Sequence, residues 1–547
     1  MSASPIADDL SAQLDGLFEP ARRSDAPGLI VGVALNGRAV YRRAFGMASV
    51  QHGVANRPQT RIRIASISKH FTCLAALLLA EDGLLDLDAP VTRYLSGVRS
   101  RRGVPTLRQF MTHTSGYRCT LDMGTLANGT AVQPNEWQLA ALLRQGEANF
   151  APGEGQIYSN GTYHALSLVI EQVAGMPFER FLKTRIFEPL GMQDTDSIPN
   201  DALMVPGLAS PHVPAPEGGW MRPPSDADLR GDGGMVSTVD DMLRWLAHLR
   251  GSDKRVGTAE TWRQMLEPAT LANGLQSTYA LGLKRHAYRG HEIIHHSGGL
   301  FGLNGQMLTV PGLGLDLVVL VNGAPLSATN LGWRIVDAVL GDAPGSAPAP
   351  VLASIAGLEH LAGARYQAES GLLIGFDEVQ GKLGVSLFHM PPIPLLFDQG
   401  DQLRAGFESI GLGPYVLARK DLAPENGQAP RALRIEVGGT VESMRRLDAA
   451  EVLDRSALVG RYWCEDLQAS AEIHADAPDV LRMQGDYSAA RGLAITALGG
   501  STFGLEEQQS PGTRYPLTAQ VERNQVTGFR IDTYRARRLW FVRRTGA

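Results

Sequence analysis

The feature that most constrains this chain is an internal repeat in its last third. LAGARY (361–366) recurs as LVGRY (458–462), and LRIEV (433–437) recurs as FRIDT (529–533), each pair 96 or 97 residues apart; MRRL (444–447) is answered by RRLW (537–540). Two copies of a unit of roughly a hundred residues are too few for a solenoid. Their short alternating strands and turns predict a sandwich or a closed barrel, made twice. GDAPGSAPAP (341–350) precedes the repeat, and its prolines and small residues can neither continue a helix nor fill a core, so it is expected to be a linker. The remaining 547-residue arithmetic leaves a large N-terminal unit, expected at 1–340, followed by units at 351–452 and 453–547.

The N-terminal unit mixes strand and helix signals. GLIVGVALNGRAVYRRAFG (28–46) is expected to be a hairpin turning at Asn36-Gly37, a pair that tolerates the positive φ of a type I′ turn. Helices are expected around 66–82, 163–174 and 239–249, with antiparallel strands around 279–322. Strands at both ends with helices between them suggest an α+β domain whose sheet is completed by the two ends of its own segment.

Composition excludes some functions. A net charge of -5, with no basic stripe interleaved with aromatics, argues against nucleic acid as a partner. Apolar runs such as LDLVVLV (315–321) are strand-sized, so no membrane span is expected. MSASPIADDLSAQLDGLFEP lacks a basic region and an apolar run, and Cys73, Cys119 and Cys464 stand far apart, so the expected location is the cytoplasm.

The chemistry centres on ASISKHFTCLAALLLAEDG (65–83). Residues three apart on a helix share a face, so Ser66 and Lys69 are expected within reach of each other. A serine hydroxyl becomes a nucleophile when a base takes its proton, and a lysine buried among apolar walls can be that base. Serine as a helix cap and lysine in solvent would explain an isolated S-x-x-K. Against that, Lys69 is the only lysine in this chain with a serine three residues before it.

Two further patterns stand at plausible positions. Tyr158-Ser159-Asn160 follows the turn residues Pro152, Gly153 and Gly155; there Tyr158 could share a proton with Lys69 while Asn160 hydrogen-bonds an acyl carbonyl. His296-Ser297-Gly298 sits on an expected strand whose glycines, with Gly299 following, let a backbone N–H approach a bound carbonyl. HEIIH (291–295) matches the zinc-protease pattern, but that motif needs a helix, and the turn at Arg289-Gly290 with β-branched Ile293 and Ile294 predicts a strand. No metal is expected. His113, in MTHTSG, is taken as structural, and Tyr163 and Asp232 receive no role.

The ordered set Ser66-x-x-Lys69, Tyr158-x-Asn160 and His296-x-Gly298 resembles the serine β-lactamase and penicillin-binding-protein superfamily over roughly residues 25–340. MTHTSG (111–116), GMQDT (191–195) and GDGGMVSTVDDM (231–242) support it. Tyrosine in the second motif and histidine in the third are similar to the esterase and D-peptidase branch. The whole architecture resembles bacterial D-aminopeptidases, which implies a multidomain fold: an α+β β-lactamase/transpeptidase-like catalytic domain followed by two antiparallel, lipocalin-like β-barrels. The resemblance further implies catalytic Ser66, Lys69, Tyr158 and His296, substrate-binding Asn160, Gly298 and Gly299, and no cofactor.

It also implies that a loop of the last barrel, expected at 483–500, reaches the active site and reads the substrate's amino group. Asp486 is the only acid in that stretch; Arg491, near its centre, suits a carboxylate better than an amine, which leaves an acidic or N-acylated substrate open. The implied activity is a D-stereospecific aminopeptidase or amidase acting on small peptides, amides or esters, with a homodimer allowed. The alternatives are a carboxylesterase or D,D-peptidase with the same machinery and, from another class, a non-catalytic ligand-binding protein.

Overall fold

The structure is a computed structural model and describes residues 5–99, 102–129, 131, 133–200, 202–223, 229–341, 346–394, 396–405, 415–508 and 513–544. In chain order the elements that frame the site are α1 (Pro5–Phe18), β1 (Leu29–Leu35), β2 (Arg38–Phe45), α2 (Lys69–Glu81), α3 (Thr120–Asn128), α4 (Asn160–Ala174), α5 (Val239–Arg250), β3 (Lys284–Tyr288), β4 (His291–Leu300), β5 (Leu303–Val310), β6 (Leu315–Val321) and α6 (Ala328–Leu340).

The strands form one antiparallel sheet in the order β3-β4-β5-β6-β1-β2. The β1–β2 hairpin turns at Asn36 (φ 51°) and Gly37 (φ 78°), the positive pair a type I′ turn requires. Its first strand then pairs with the last, from Leu29↔Val321 to Leu35↔Leu315, so the segment's two ends do complete its sheet. Alternation divides the burial between the faces: Ile294 joins the apolar cluster containing α2, while Ile293 faces the opposite cluster with α1 and α6. HEIIH is therefore strand, not helix, and its His291 and His295 lie in β4.

The repeat maps onto equivalent strands of two β units. The first is a nine-stranded antiparallel sheet, nearly closed through an isolated bridge between Ser354 and Lys382. The second is a closed eight-stranded barrel from Gly460–Cys464 to Leu539–Arg543. The repeated tyrosines occupy matching places: Tyr366 pairs with Arg446 in the first unit and Tyr462 with Arg543 in the second. Of the expected linker, 342–345 lie outside the described residues; Ala347 accepts a hydrogen bond from Arg289 at 2.7 Å.

The last barrel is not a separate bead. Met123, Leu126 and Ala127 of α3, with Trp137 and Ala141, bury into the same apolar cluster as the barrel's Leu481, Leu493 and Phe541. Among the described residues no helix is long and apolar enough to cross a membrane.

Candidate active site

Ser66 lies in a short 3-10 turn (Ala65–Ser68) that leads directly into α2, rather than inside an α-helix begun at 66. Side chains three apart eclipse one another in a 3-10 turn, which brings Ser66 and Lys69 into line. Ala65, just before the serine, holds φ at 50°, a left-handed backbone that costs a non-glycine residue roughly 1–2 kcal/mol. Ser66 remains partly open, whereas Lys69 is wholly buried.

The Lys69 amine stands 3.2 Å from Ser66 Oγ, 2.7 Å from Asn160 Oδ1 and 2.5 Å from the Asp232 carbonyl. Burial lowers its pKa to about 7, against an opposing pull from Asp232. A neutral amine has two N–H donors and one lone pair. Asn160 Oδ1 and the Asp232 carbonyl can only accept, so they take both donors and leave the lone pair for the Ser66 hydroxyl. An amine so arranged can take a proton from Ser66.

Tyr158 packs beside this pair, its ring centre 4.7 Å from Lys69 Nζ and 4.0 Å from the ring centre of His113. Burial raises the phenol's pKa, opposed first by its interaction with the Ser66 hydroxyl. The hydroxyl has no partner in hydrogen-bond geometry among the described residues. His113 Nδ1 accepts from the Ser159 N–H at 3.1 Å, so this histidine holds the backbone behind Tyr158.

His296 lies in β4 with its Nδ1 2.6 Å from the Ser297 carbonyl and its Nε2 3.0 Å from the Tyr279 hydroxyl. The carbonyl can only accept, so Nδ1 carries the proton and Nε2 accepts from Tyr279. Burial, with Lys284 and Lys69 nearby, pushes the His296 pKa well below its usual value and keeps the ring neutral. β3 pairs with β4 only as far as Lys284↔His295, so among the described residues no strand covers that edge of residues 296–300. The turn that carries Ser66 comes close instead: a Cβ on Gly298 would lie 2.1 Å from the Ile64 carbonyl oxygen. Gly299 is exposed, with open space where a side chain would be.

Ser66, Lys69, Tyr158, Asn160, His296, Gly298 and Gly299 thus converge. Asn160 does so differently from expectation, because its side-chain oxygen is given to Lys69. Asp486 and Arg491 do not join the group. Arg491 is 8% exposed, with Nη1 on Glu507 at 2.6 Å and Nη2 on the Leu126 carbonyl at 2.5 Å. A guanidinium removed from water needs such acceptors, and here they join the barrel to α3. Asp486 sits exposed in the turn before it, where the next residue's N–H donates to Asn128 Oδ1.

A different barrel turn, residues 532–538, reaches the site. The Arg535 guanidinium carbon is 5.9 Å from the Tyr158 ring centre, and Arg535 Nε and Nη2 donate to Asp122 Oδ1 at 2.8 and 2.5 Å. Sequence reasoning missed Arg535 and Tyr279, and left Asp232 without a role. Asp232 contributes a main-chain carbonyl, which carries no residue signal; for Arg535 only the fold reveals proximity.

A family model described as Beta-lactamase matches residues 14–340. The chain is 27% identical over 555 residues to a D-aminopeptidase of Cereibacter sphaeroides, covering 98% of this chain and 99% of that protein. It is 28% identical over 458 residues to a D-aminopeptidase of Brucella canis, covering 81% and 80%. Among solved structures, the octameric penicillin-binding protein homologue from Pyrococcus abyssi shares the fold at a TM-score of 0.54 and 19% identity, over 98% of this chain and 99% of that one.

Proposed function

From the premise that the chain belongs to the beta-lactamase family and is a serine hydrolase, we propose that Ser66 is its nucleophile and that it releases N-terminal D-amino acids from short peptides, amides or esters through an acyl-enzyme. The observation that carries this reading is the 3.2 Å approach of a wholly buried Lys69 amine to Ser66 Oγ, with pKa about 7. Ser66 attacks the substrate carbonyl as Lys69 takes its proton. Backbone N–H groups of Ser66 and Gly299 hold the oxyanion on the uncovered edge of β4. Tyr158, kept protonated by burial beside the Ser66 hydroxyl, hands a proton to the departing nitrogen and recovers it from Lys69. His296, neutral and fixed by Tyr279, orients the strand that carries Gly298 and Gly299. Water then enters and releases the acid.

D-specificity is supported by the two relatives, both D-aminopeptidases, one of them aligned over 98% of this chain. The test has two parts. A fluorophosphonate or β-lactam probe is expected to label the protein and to fail on Ser66→Ala; unchanged labelling moves the nucleophile elsewhere. D- and L-alanine p-nitroanilides and amides are then compared, and turnover of the L-substrates alone refutes the stereochemical assignment.

A further inference from the structure

We propose that Arg535 determines specificity by binding a carboxylate on the leaving-group half of the substrate, so that a dipeptide with a free C-terminal carboxylate is preferred to the corresponding amide. The proposal rests on the reading of Ser66 and Tyr158 given above and names the substrate class of that same site.

The backbone of Arg535 is fixed from two directions. Its carbonyl accepts from the Cys119 N–H at 3.0 Å and from Asn149 Nδ2 at 3.1 Å, and Asn149 Oδ1 accepts from the Arg537 N–H at 3.0 Å. These contacts set the barrel turn against both the start of α3 and the chain leading to Tyr158. The side chain is therefore delivered to the face of Tyr158 by rigid neighbours rather than by a free loop.

A guanidinium has five donors. Arg535 uses Nε and Nη2 on Asp122 Oδ1, while Nη1 has no hydrogen-bond partner among the described residues and is not sealed from solvent. Asp122 is the more enclosed partner, its side chain 6% exposed against 16% for Arg535, with Thr533 Oγ1 donating to Oδ2 at 3.0 Å and Arg535 covering Oδ1. The valence left open on this wall is thus a donor on a cation. It suits a carboxylate and offers nothing to an ammonium.

Its place beside Tyr158 says which half of the substrate it meets. Acylation breaks the C–N bond, joins the acyl carbon to Ser66 Oγ, and sends the serine's proton by way of Lys69 and Tyr158 to the departing nitrogen. In a dipeptide the carbon bonded to that nitrogen bears the free carboxylate. A cation flanking the ring that protonates the nitrogen is therefore within reach of it.

The experiment measures kcat/KM of the full chain for D-alanyl-glycine and D-alaninamide. The wild type is expected to favour the dipeptide. Arg535→Gln is expected to lower the dipeptide-to-amide ratio about 10- to 100-fold, mainly through KM, and Arg535→Lys to restore part of it. A wild type that favours the amide, or a variant in which both substrates fall together, overturns the proposal and leaves Arg535 a structural clamp. Should Arg535→Gln not fold, inhibition of the wild type decides: glycine is expected to compete more strongly than glycinamide, and equal inhibition overturns it. Failure of the underlying reading shows separately, as wild type inert on both substrates and labelling indifferent to Ser66→Ala.

Discussion

Asn160 Oδ1 accepts a hydrogen bond from Lys69 Nζ at 2.7 Å, and in doing so it decides which way the lysine's lone pair can point. With the Asp232 carbonyl taking the second donor, the third direction is toward Ser66 Oγ, 3.2 Å away. Protonation would put a third hydrogen in that direction and remove the base.

The pH dependence follows with its sign. Lys69 loses its proton near pH 7, so kcat/KM is expected to rise about tenfold per pH unit below 7 and to level off above it. A pH–rate profile of the wild type checks this. A flat profile down to pH 5 would exclude Lys69 as the base.

Asn160→Asp keeps the shape of the side chain and replaces its amide by a carboxylate. An opposite charge at this distance raises a lysine's pKa by about 1–3 units. The acid limb of the profile is expected to move up by that amount, with a loss of activity at pH 7 of about fivefold for one unit and about 500-fold for three. An unmoved limb in a folded variant would show that Asn160 does not control the proton on Lys69.

Tyr279→Phe removes the hydroxyl that donates to His296 Nε2 at 3.0 Å. A buried neutral hydrogen bond contributes about 0.5–1.5 kcal/mol, so a two- to tenfold fall in kcat/KM is expected, with the pH profile unchanged. A shifted acid limb would instead tie Tyr279 to the proton on Lys69.

The fold was legible where a local pattern carries the physics. Asn36-Gly37 specified a hairpin by its backbone preferences, and the repeat marked strands that prove equivalent through Tyr366↔Arg446 and Tyr462↔Arg543. The S-x-x-K spacing brought Ser66 and Lys69 together even though the turn is 3-10, because both helices place residues three apart on one side. Arg491 and Arg535 show the limit. Both are arginines in turns or strand ends of the same barrel, and nothing in their local sequence says that one joins Glu507 and the other faces Tyr158. Only barrel closure and its docking on α3 separate them.

Arg491 and Arg535 are therefore expected to respond differently to substitution. Arg491→Ala leaves Glu507 buried without its partner and takes a donor from the Leu126 carbonyl. Breaking one side of a buried ion pair costs about 3–5 kcal/mol, so a clear fall in Tm and in the denaturation midpoint is expected. Because the side chain joins barrel to α3 and makes no contact with Ser66 or Tyr158, the dipeptide-to-amide ratio of the protein that remains folded should match the wild type. Thermal denaturation measured alongside the two-substrate assay separates the effects. A changed ratio with unchanged Tm would return Arg491 to the substrate site and remove the distinction between the two arginines.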